Sequence, residues 1–228
     1  MESMKVMIEK IKEENGICLI VTGGKFVDVD ADALGADYII ACDRGLDNAD
    51  KYGLIPDLAV GDFDSVSKDN LIKMEESGLK NMRYPKEKDD TDTMIAIKQA
   101  LDMGFFNIKI LCAFGGRTDH TFANIQAARY AAERGAVVEL IDEGSKTTVF
   151  ANVKIEFERQ KECFFSVFSL SDKSEGVSIK GTKYELEEYE LTGDFPLGVS
   201  NEFVQEKAAV SVRKGCLMVV IADVLSVV

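Results

Sequence analysis

The sequence lacks several features that would assign it to a membrane, secreted or zinc-binding class. It contains no run of about 18 uninterrupted apolar residues, so we expect no transmembrane helix. Residues 1–15 carry too many charges for a signal peptide, and the spacing of their apolar side chains predicts a helix instead. The five cysteines are widely spaced and form no CxxC pair, which predicts structural thiols in a reducing cytoplasm.

Basic residues are also scarce relative to acidic ones. The chain has 27 Lys and Arg against 40 Asp and Glu, a formal net charge of −13. Such a charge repels nucleic acids and anionic membranes, so we expect neither as a partner and favour a cationic substrate or a metal ion. No GxGxxG or Walker motif is present, so neither of these fingerprints assigns a nucleotide site.

The first half of the chain alternates short apolar runs with helical patterns. Fully apolar strands separated by helices of about ten residues are typical of a parallel sheet covered on both faces. The pattern therefore predicts an α/β domain over residues 1–142, with a Rossmann-like, three-layer arrangement. Its predicted strands and helices are 17–22, 38–42, 58–60, 67–77, 92–103, 108–113, 121–134 and 137–141.

After Gly144 the pattern changes to strands punctuated by glycine, which predicts an all-β sandwich or barrel over residues 143–228. Arg213-Lys214-Gly215 lies between two apolar strands and has the composition of a hairpin turn. The predicted strands are 149–151, 153–158, 163–170, 177–180, 184–191, 203–212 and 217–222.

Four segments that contain aspartate follow one another at the predicted ends of strands in the first half: 43–45, 61–65, 88–92 and 115–120. The carboxyl ends of parallel strands share one edge of a sheet, and ligands of open α/β sheets bind at that edge. Converging carboxylates repel one another unless a cation neutralises them, and oxygen ligands around a phosphate ester suit Mg²⁺. The segments therefore predict an enzyme that acts on a metal–nucleotide complex.

Asp62 and Asp64 flank Phe63, so on an extended chain both carboxylates would point the same way. Gly61 allows a close backbone approach, and Ser65 could cap the following helix or bind phosphate. The same residues also imitate the DxDx[TV] loop of haloacid-dehalogenase-type phosphatases, in which Asp62 would be the nucleophile. That loop normally ends the first strand, whereas here it follows two earlier strands.

Three of the four residues 89–92 are aspartates, and Asp92 stands at the start of a predicted helix. Complementation of the helix dipole is the ordinary explanation for Asp92. The mutual repulsion of the three carboxylates needs an offset, however, which Lys88 can supply in part and a metal ion can complete.

Two glycine turns follow predicted strands. Gly115-Gly116 would expose backbone N–H groups to an anion, and Arg117 offers a planar fork to phosphate. Gly23-Gly24 forms a similar but less specific turn after the first strand. His120, the only histidine, could contact phosphate or substrate, and a structural hydrogen bond explains it equally well. In the second half, turn chemistry explains Ser200-Asn201, and Tyr184 has the position of a half-buried aromatic on a strand.

Taken together and in order, these segments resemble the thiamine pyrophosphokinase family, in particular its bacterial form. Each motif alone is common, whereas five in register are specific. The resemblance covers nearly the whole chain from about residue 17. The motifs that carry it are CDRG at 42–45, PD at 56–57 with GDFDS at 61–65, KDxTD at 88–92, GGRxDHxxxN at 115–124 and GVSNE at 198–202.

The resemblance implies a homodimer in which residues 1–142 bind Mg²⁺ and ATP, while residues 143–228 complete the thiamine site of a shared active site. The family transfers the terminal pyrophosphoryl unit of ATP to thiamine, giving thiamine diphosphate and AMP. A phosphatase and a non-catalytic sensor of nucleotide or thiamine remain as alternatives.

By motif match, the implied Mg²⁺ ligands are Asp62, Asp64 and Asp92, supported by Asp43 and Asp89. Thiamine would be held by Ser200 and Asn201. Animal members carry a stacking Trp at the position of Tyr184, and this chain contains no Trp. The residues expected to bind the nucleotide and its phosphates are Gly23, Gly24, Asp43, Arg44, Ser65, Lys88, Arg117, Thr118, Asp119 and His120.

Overall fold

The computed structural model of the protein describes residues 16–85, 87 and 89–224. The helix predicted within residues 1–15 and the side chain of Lys88 lie outside these residues. No helix in the described ranges is long and apolar enough to cross a membrane.

The described residues contain fourteen strands and four α-helices, with a short 3-10 helix at Asp32–Leu34. The strands of the first half are β1 Ile17–Val21, β2 Tyr38–Cys42, β3 Leu58–Gly61, β4 Asn81–Arg83, β5 Asn107–Leu111 and β6 Val137–Asp142. The helices are α1 Gly45–Tyr52, α2 Lys68–Ser77, α3 Asp92–Asp102 and α4 Thr118–Ala132. The strands of the second half are β7 Ser145–Ala151, β8 Lys154–Glu158, β9 Cys163–Ser169, β10 Lys173–Lys180, β11 Leu186–Thr192, β12 Gly198–Glu202, β13 Lys207–Ser211 and β14 Cys216–Asp223.

Ten strands form one mixed sheet in the order β12-β9-β14-β7-β6-β5-β1-β2-β3-β4. The strands from β6 to β4 in this order pair in parallel, and those from β7 to β12 pair antiparallel. The chain adds β2, β3 and β4 on one side of β1 and then returns to add β5 and β6 on the other. The direction of winding therefore reverses between β1 and β5.

Alternating apolar residues explain why helices cover both faces of the parallel part. Cys18 and Ile20 of β1 pack in the cluster that contains apolar residues of α3 and α4. Leu19 and Val21 face the other way, into a cluster that contains Ala49 of α1. Because successive side chains of a strand point to opposite faces, a run of four apolar residues serves both layers.

The large sheet continues across the predicted boundary at residues 142 and 143. β6 and β7 form an antiparallel pair in which Asp142 lies opposite Ser145. The remaining strands form a second antiparallel sheet in the order β11-β10-β13-β8. Apolar side chains of the two sheets form one core, which includes Phe150 and Phe165 from the large sheet and Phe157 and Ile179 from the small one. The predicted sandwich is thus confirmed, with one of its layers continuous with the parallel strands.

The hairpin predicted at Arg213-Lys214-Gly215 is wrong. β13 pairs with β8 and β10 in the small sheet, whereas β14 pairs with β7 and β9 in the large one. The segment is therefore a crossover between the two layers. A Cβ added at Gly215 would lie 2.8 Å from Cα of Ser174, which belongs to β10. Glycine is therefore required where the crossover passes β10.

Three further differences concern the second half and the sheet edges. Tyr184 precedes β11 instead of lying on a strand, and its side chain is exposed. Ser200 and Asn201 lie within strand β12, although Ser200 has a positive φ of 57° at an irregularity in the pairing with β9. Strand β4 was not predicted, because its three residues contain a single apolar side chain.

Candidate active site

Of the segments singled out in the first half, 88–92 follows β4 and leads into α3, and the others lie at the carboxyl ends of β1, β2, β3 and β5. These ends flank the point at which the winding direction reverses, where open α/β sheets bind their ligands. The turn after β1 contains Gly23 and Gly24, the turn after β5 contains Gly115 and Gly116, and the aspartates follow β2 and β3.

Three carboxylates meet at the ends of β2 and β3. One carboxylate oxygen each of Asp43, Asp62 and Asp64 lies within 4.8 Å of the other two, a spacing that could hold a metal ion. The three residues contribute oxygen ligands only, as a hard divalent cation prefers. The predicted convergence of Asp62 and Asp64 is confirmed, and the structure adds Asp43, which was expected only to support the site.

The backbone brings Asp43 close to Gly61 at the end of β3. Asp43 has a φ of 47°, and its N–H donates to the carbonyl oxygen of Val60 at 2.8 Å. Gly61 has a φ of 152°, and a Cβ placed on it would lie 3.0 to 3.2 Å from Cβ, Cα and N of Asp43. Glycine at position 61 thus allows the two aspartate-bearing loops to touch.

Asp62 and Asp64 converge through a turn, and the prediction of an extended segment is wrong. Phe63 between them has a φ of 63°, in the left-handed region, and the N–H of Asp64 donates to Oδ1 of Asp62 at 2.9 Å. The reversal is anchored because the Phe63 ring is buried in a cluster with Leu46 and Met74. The cost of an unusual backbone is thereby offset by burial of an aromatic side chain.

Asp43 has an electrostatic environment that suits a metal ligand. Its Oδ2 accepts a short hydrogen bond from Oγ of Ser65, while its Oδ1 is buried and receives no hydrogen bond from any described residue. Burial raises the pKa of the Asp43 carboxyl, the hydrogen bond from Ser65 opposes this, and the charges of Asp92 and Asp62 raise it further. A bound cation would satisfy the bare oxygen and remove the repulsion.

Asp92 lies near this group but outside the set of three. It opens α3, where Thr91 caps the helix by accepting a hydrogen bond from the N–H of Met94 at 3.2 Å. Thr91 is therefore the capping residue, while Asp92 adds a charge to the first turn, where it can complement the helix dipole. Asp89 is exposed, and Asp90 forms an ion pair with Lys98 at 2.6 Å.

The two glycine turns differ in the reason for their glycines. Gly115 and Gly116 have φ values of 75° and 94°, which glycine adopts without strain. Gly24 instead packs against the end of β5, because a Cβ there would lie 2.1 Å from the carbonyl oxygen of Cys112. Asn48 of α1 braces this turn by donating to the carbonyl oxygens of Thr22 and Gly24 at 2.9 and 3.2 Å.

Arg117 precedes α4 and is paired with a residue of the same segment. Its Nε and Nη2 donate to the two carboxylate oxygens of Asp119 at 3.1 and 2.5 Å. This contact lowers the pKa of Asp119 and raises that of Arg117. Thr118 and His120 are exposed in the same turn. The guanidinium group of Arg117, which was expected to face phosphate, thus binds the carboxylate of Asp119 in this structure.

Sequence reasoning missed two residues, Lys25 at this edge and Asp47 on helix α1. Lys25 is exposed and directly follows the Gly23-Gly24 turn after β1. A Cβ added at Gly115 would lie 2.6 Å from Cβ of Lys25, so the side chain of Lys25 begins beside the Gly115-Gly116 turn. Arg44, which was expected to bind the nucleotide, lies beside Gly23, because a Cβ added at Gly23 would lie 2.9 Å from Cβ of Arg44. A cation directly after a Gly-Gly turn was the available signal for Lys25.

Asp47 of α1 is the second missed residue. It accepts hydrogen bonds from N–H and Oγ of Ser67 at 3.1 and 2.6 Å and from Nδ2 of Asn70 at 2.7 Å. Burial opposes ionisation of Asp47, but the hydrogen bonds from Ser67 and Asn70 outweigh it, so the pKa is lowered. Asp47 thus ties the far end of the Asp62–Asp64 loop to the helix that follows Asp43.

Tyr184, Ser200 and Asn201 lie together, away from the aspartates of the same chain. Asn201 contacts both the N–H and the carbonyl of Tyr184, and the N–H of Ser200 donates to Oγ of Ser166 at 3.0 Å. Seven steps of the large sheet separate β12 from β2. At about 4.8 Å per step these groups lie roughly 34 Å from Asp43 along the sheet.

Two family descriptions match the chain in succession. "Thiamin pyrophosphokinase, catalytic domain" matches residues 33–140, and "Thiamin pyrophosphokinase, vitamin B1 binding domain" matches residues 152–217. The first range contains the three converging aspartates and both Gly115 and Gly116. The second contains Tyr184, Ser200 and Asn201.

Similar proteins carry the same description. The thiamine pyrophosphokinase of Bacillus subtilis (strain 168) is 29% identical over 182 residues, which cover 79% of this chain and 85% of that protein. A crystal structure of thiamine pyrophosphokinase from Bacillus subtilis superposes with a TM-score of 0.81 at 26% identity, covering 91% of this chain and 99% of the other. The thiamin pyrophosphokinase of Geobacillus thermodenitrificans gives a TM-score of 0.77 at 27% identity, covering 91% and 97%.

Proposed function

The chain belongs to the thiamine pyrophosphokinase family, and from this premise we propose that it transfers the pyrophosphoryl group of ATP to the hydroxyl group of thiamine, giving thiamine diphosphate and AMP. The observation that carries the proposal is the convergence of Asp43, Asp62 and Asp64 at the sheet edge where nucleotides bind. A three-layer, Rossmann-like organisation of residues 1–142 as the catalytic domain, with residues 143–228 as the thiamine-binding domain, fits this division of labour.

The donor set fits Mg²⁺. Asp43, Asp62 and Asp64 supply carboxylate oxygens, and the buried Oδ1 of Asp43, which accepts no hydrogen bond from the described residues, supports a cation at this place. Asp92 acts next to them as a further ligand, directly or through water, and Asp89 supports the site. When bound, Mg²⁺ would neutralise charge on the polyphosphate and hold it in line for attack.

The residues at the neighbouring turns orient the polyphosphate. The turns Gly115-Gly116 and Gly23-Gly24 lie at this edge, where their backbone N–H groups would donate to an anion. Arg117 exchanges Asp119 for a phosphate, because both offer two oxygens to the same fork. The remaining residues assigned to the nucleotide are Lys25, Arg44, Ser65, Lys88, Thr118 and His120.

The acceptor is held by residues of the second half. Tyr184 presents an exposed ring to which the thiazolium cation of thiamine can stack, and the acidic chain attracts that cation. Ser200 and Asn201 complete this end of the site. A carboxylate among Asp89 and Asp92 accepts the proton of the hydroxyl group as it attacks the β-phosphorus.

A homodimer brings the two ends together. Thiamine is far shorter than the roughly 34 Å that separates β12 from β2 within one chain, so the acceptor residues serve the aspartates of a partner subunit. Exposed apolar side chains on the second half support a subunit contact there, and Tyr189, Phe195 and Leu197 line an open pocket of about 450 Å³ on that half.

We place the enzyme in the cytoplasm, and the thiols support this location. All five cysteines lie in the described part of the chain, where they are buried and form no disulfide bond. Burial raises the pKa of Cys18 and Cys216 to about 12, so these thiols stay protonated and unreactive at neutral pH.

Metal dependence tests the proposal first. Conversion of thiamine in the presence of ATP should require Mg²⁺, stop on addition of excess chelator and resume when Mg²⁺ is restored. The loss must occur without unfolding, which circular dichroism of the chelated protein checks. Full conversion in excess chelator would remove the metal from the reaction.

A further inference from the structure

Asn201 has no hydrogen-bonding group left for a ligand. Its side chain is 3% exposed. Its Oδ1 accepts from the N–H groups of Tyr184 and Glu202, each at 2.9 Å, and its Nδ2 donates to the carbonyl oxygen of Tyr184 at 2.8 Å and to Oγ1 of Thr182 at 3.0 Å. A carboxamide offers two acceptor positions and two donors, so the four contacts use all of them.

These contacts hold the backbone of Tyr184 from both sides. Its N–H and its carbonyl oxygen both bond to the one amide of Asn201, as an adjacent strand would hold them. The loop is also tied at its start, where the N–H of Gly181 donates to Oε1 of Glu185 at 2.7 Å and Thr182 forms an isolated bridge with Phe203. The backbone that carries Tyr184 is therefore fixed at several points.

The ring of Tyr184, in contrast, is free to meet a ligand. Tyr184 is 62% exposed although its backbone is fully engaged. The ammonium group of Lys183 lies 5.5 Å from the ring centroid and pairs with Glu202 at 3.0 Å, which holds that side chain as well. An exposed aromatic ring on a fixed backbone loses little conformational entropy when a planar cation stacks on it.

We propose that Asn201 is a positioning residue, which presents the ring of Tyr184 to the cationic ring of thiamine and does not itself bind thiamine. The proposal rests on the proposed function for the identity of the ligand. A substitution at Asn201 should therefore change the KM for thiamine only because it displaces Tyr184. The KM for ATP, whose residues lie in the first half, should be unaffected.

A double-mutant cycle tests this assignment. Tyr184→Ala and Asn201→Ala should each raise the KM for thiamine, by about 5- to 10-fold for a lost stacking contact. The double variant should show no larger increase than Tyr184→Ala alone. Multiplication of the two effects would mean that Asn201 contacts thiamine itself and would overturn the proposal.

Two further variants separate positioning from loss of stability. Asn201→Asp keeps the size and both acceptor positions but loses the two donors, so it tests the same bonds if Asn201→Ala fails to fold. Asn107→Ala removes a buried asparagine at the start of β5, at the opposite end of the parallel strands from the site. It should lower the melting temperature and leave the KM for thiamine unchanged. An equal rise in KM in this control would overturn the assignment.

A spectroscopic measurement needs no substrate. Because the chain contains no tryptophan, Tyr184→Trp creates a single fluorescent reporter at the ring. Adding Asn201→Asp should lower the fluorescence anisotropy of that indole, whereas adding Asn107→Ala should not. Unchanged anisotropy would refute the proposal that Asn201 holds the aromatic side chain at position 184 in place. If the parent enzyme failed to convert thiamine, the proposed function would fall while the anisotropy result still decided whether Asn201 positions the ring.

Discussion

At the scale of the residue, Asp43 is the carboxylate whose surroundings most require a cation. Its Oδ1 is buried and lacks a donor among the described residues, and burial together with Asp92 and Asp62 raises the pKa of its carboxyl. Sequence reasoning placed Asp43 near the metal but ranked it below Asp92. The place of Asp43 among the converging carboxylates depends on its left-handed backbone and its contact with Gly61, and no pattern of residues in the sequence reveals either of them.

We predict that Asp43→Asn lowers turnover by at least about 100-fold and leaves the melting temperature unchanged or slightly higher. The amide removes a ligand charge, while the loss of a charge that burial, Asp92 and Asp62 disfavour relieves the folded state. Asp69→Asn, at an exposed aspartate in the first turn of α2, is the matched control and should retain activity. Normal turnover of Asp43→Asn at saturating Mg²⁺ would take Asp43 out of the site.

At the scale of the element, the helices and strands with a clear apolar pattern and clear end signals were predictable from the sequence. Ser67 caps α2 by accepting from Asn70, and Gly78 ends it, both as its sequence indicates. Helix α1 was missed because its eight residues are mostly polar, and strand β12 because Ser200-Asn201 has the composition of a turn. Such short elements form because neighbours pair with them, so the cause lies in tertiary contacts.

The tie between α1 and α2 provides a test at this scale. Asp47→Asn should lower the melting temperature at pH 7, because the carboxylate that accepts from Ser67 and Asn70 is lost. Since the pKa of Asp47 is lowered, its ionised form stabilises the fold above the ordinary aspartate pKa, and this contribution is lost as pH falls through the lowered value.

The difference between wild type and Asp47→Asn should therefore shrink below about pH 4. Thermal melts from pH 7 to pH 3 measure it. Asp50→Asn serves as the control, because Asp50 on the same helix forms an exposed ion pair with Lys73, which contributes little to stability. A gap that stays constant over this range would mean that the charge of Asp47 does not hold the loop.

At the scale of the whole molecule, sequence patterns indicated an α/β half and an antiparallel half but not their continuity. The pairing of β6 with β7 depends on a tight connection at 143–144, which reads equally well as a break between domains. The same sheet sets the distance between Tyr184 and the aspartates. That distance, invisible in the sequence order of the motifs, is the reason we propose a site shared between two subunits.

Subunit complementation tests the shared site. Asp62→Asn and Tyr184→Ala each damage a different end, so a hybrid dimer would hold one site with both ends intact. After equal amounts are mixed under exchanging conditions at low thiamine, the intact sites of the hybrid dimers should add roughly a quarter of wild-type activity to the residual activity of Tyr184→Ala. Mixing that restores nothing, with exchange shown by mass spectrometry of tagged subunits, would contradict sharing.

The position of bond cleavage in ATP tests the central claim most directly. Attack of thiamine at the β-phosphorus must produce AMP and thiamine diphosphate in equal amounts, and chromatography of one reaction mixture with ATP, Mg²⁺ and thiamine resolves every product. A γ-phosphoryl transfer would give ADP and thiamine monophosphate, a phosphatase would release inorganic phosphate without thiamine, and a sensor would leave ATP intact. We predict AMP and thiamine diphosphate at a ratio of about one to one. ADP as the main nucleotide product would contradict the account, even if thiamine were the acceptor.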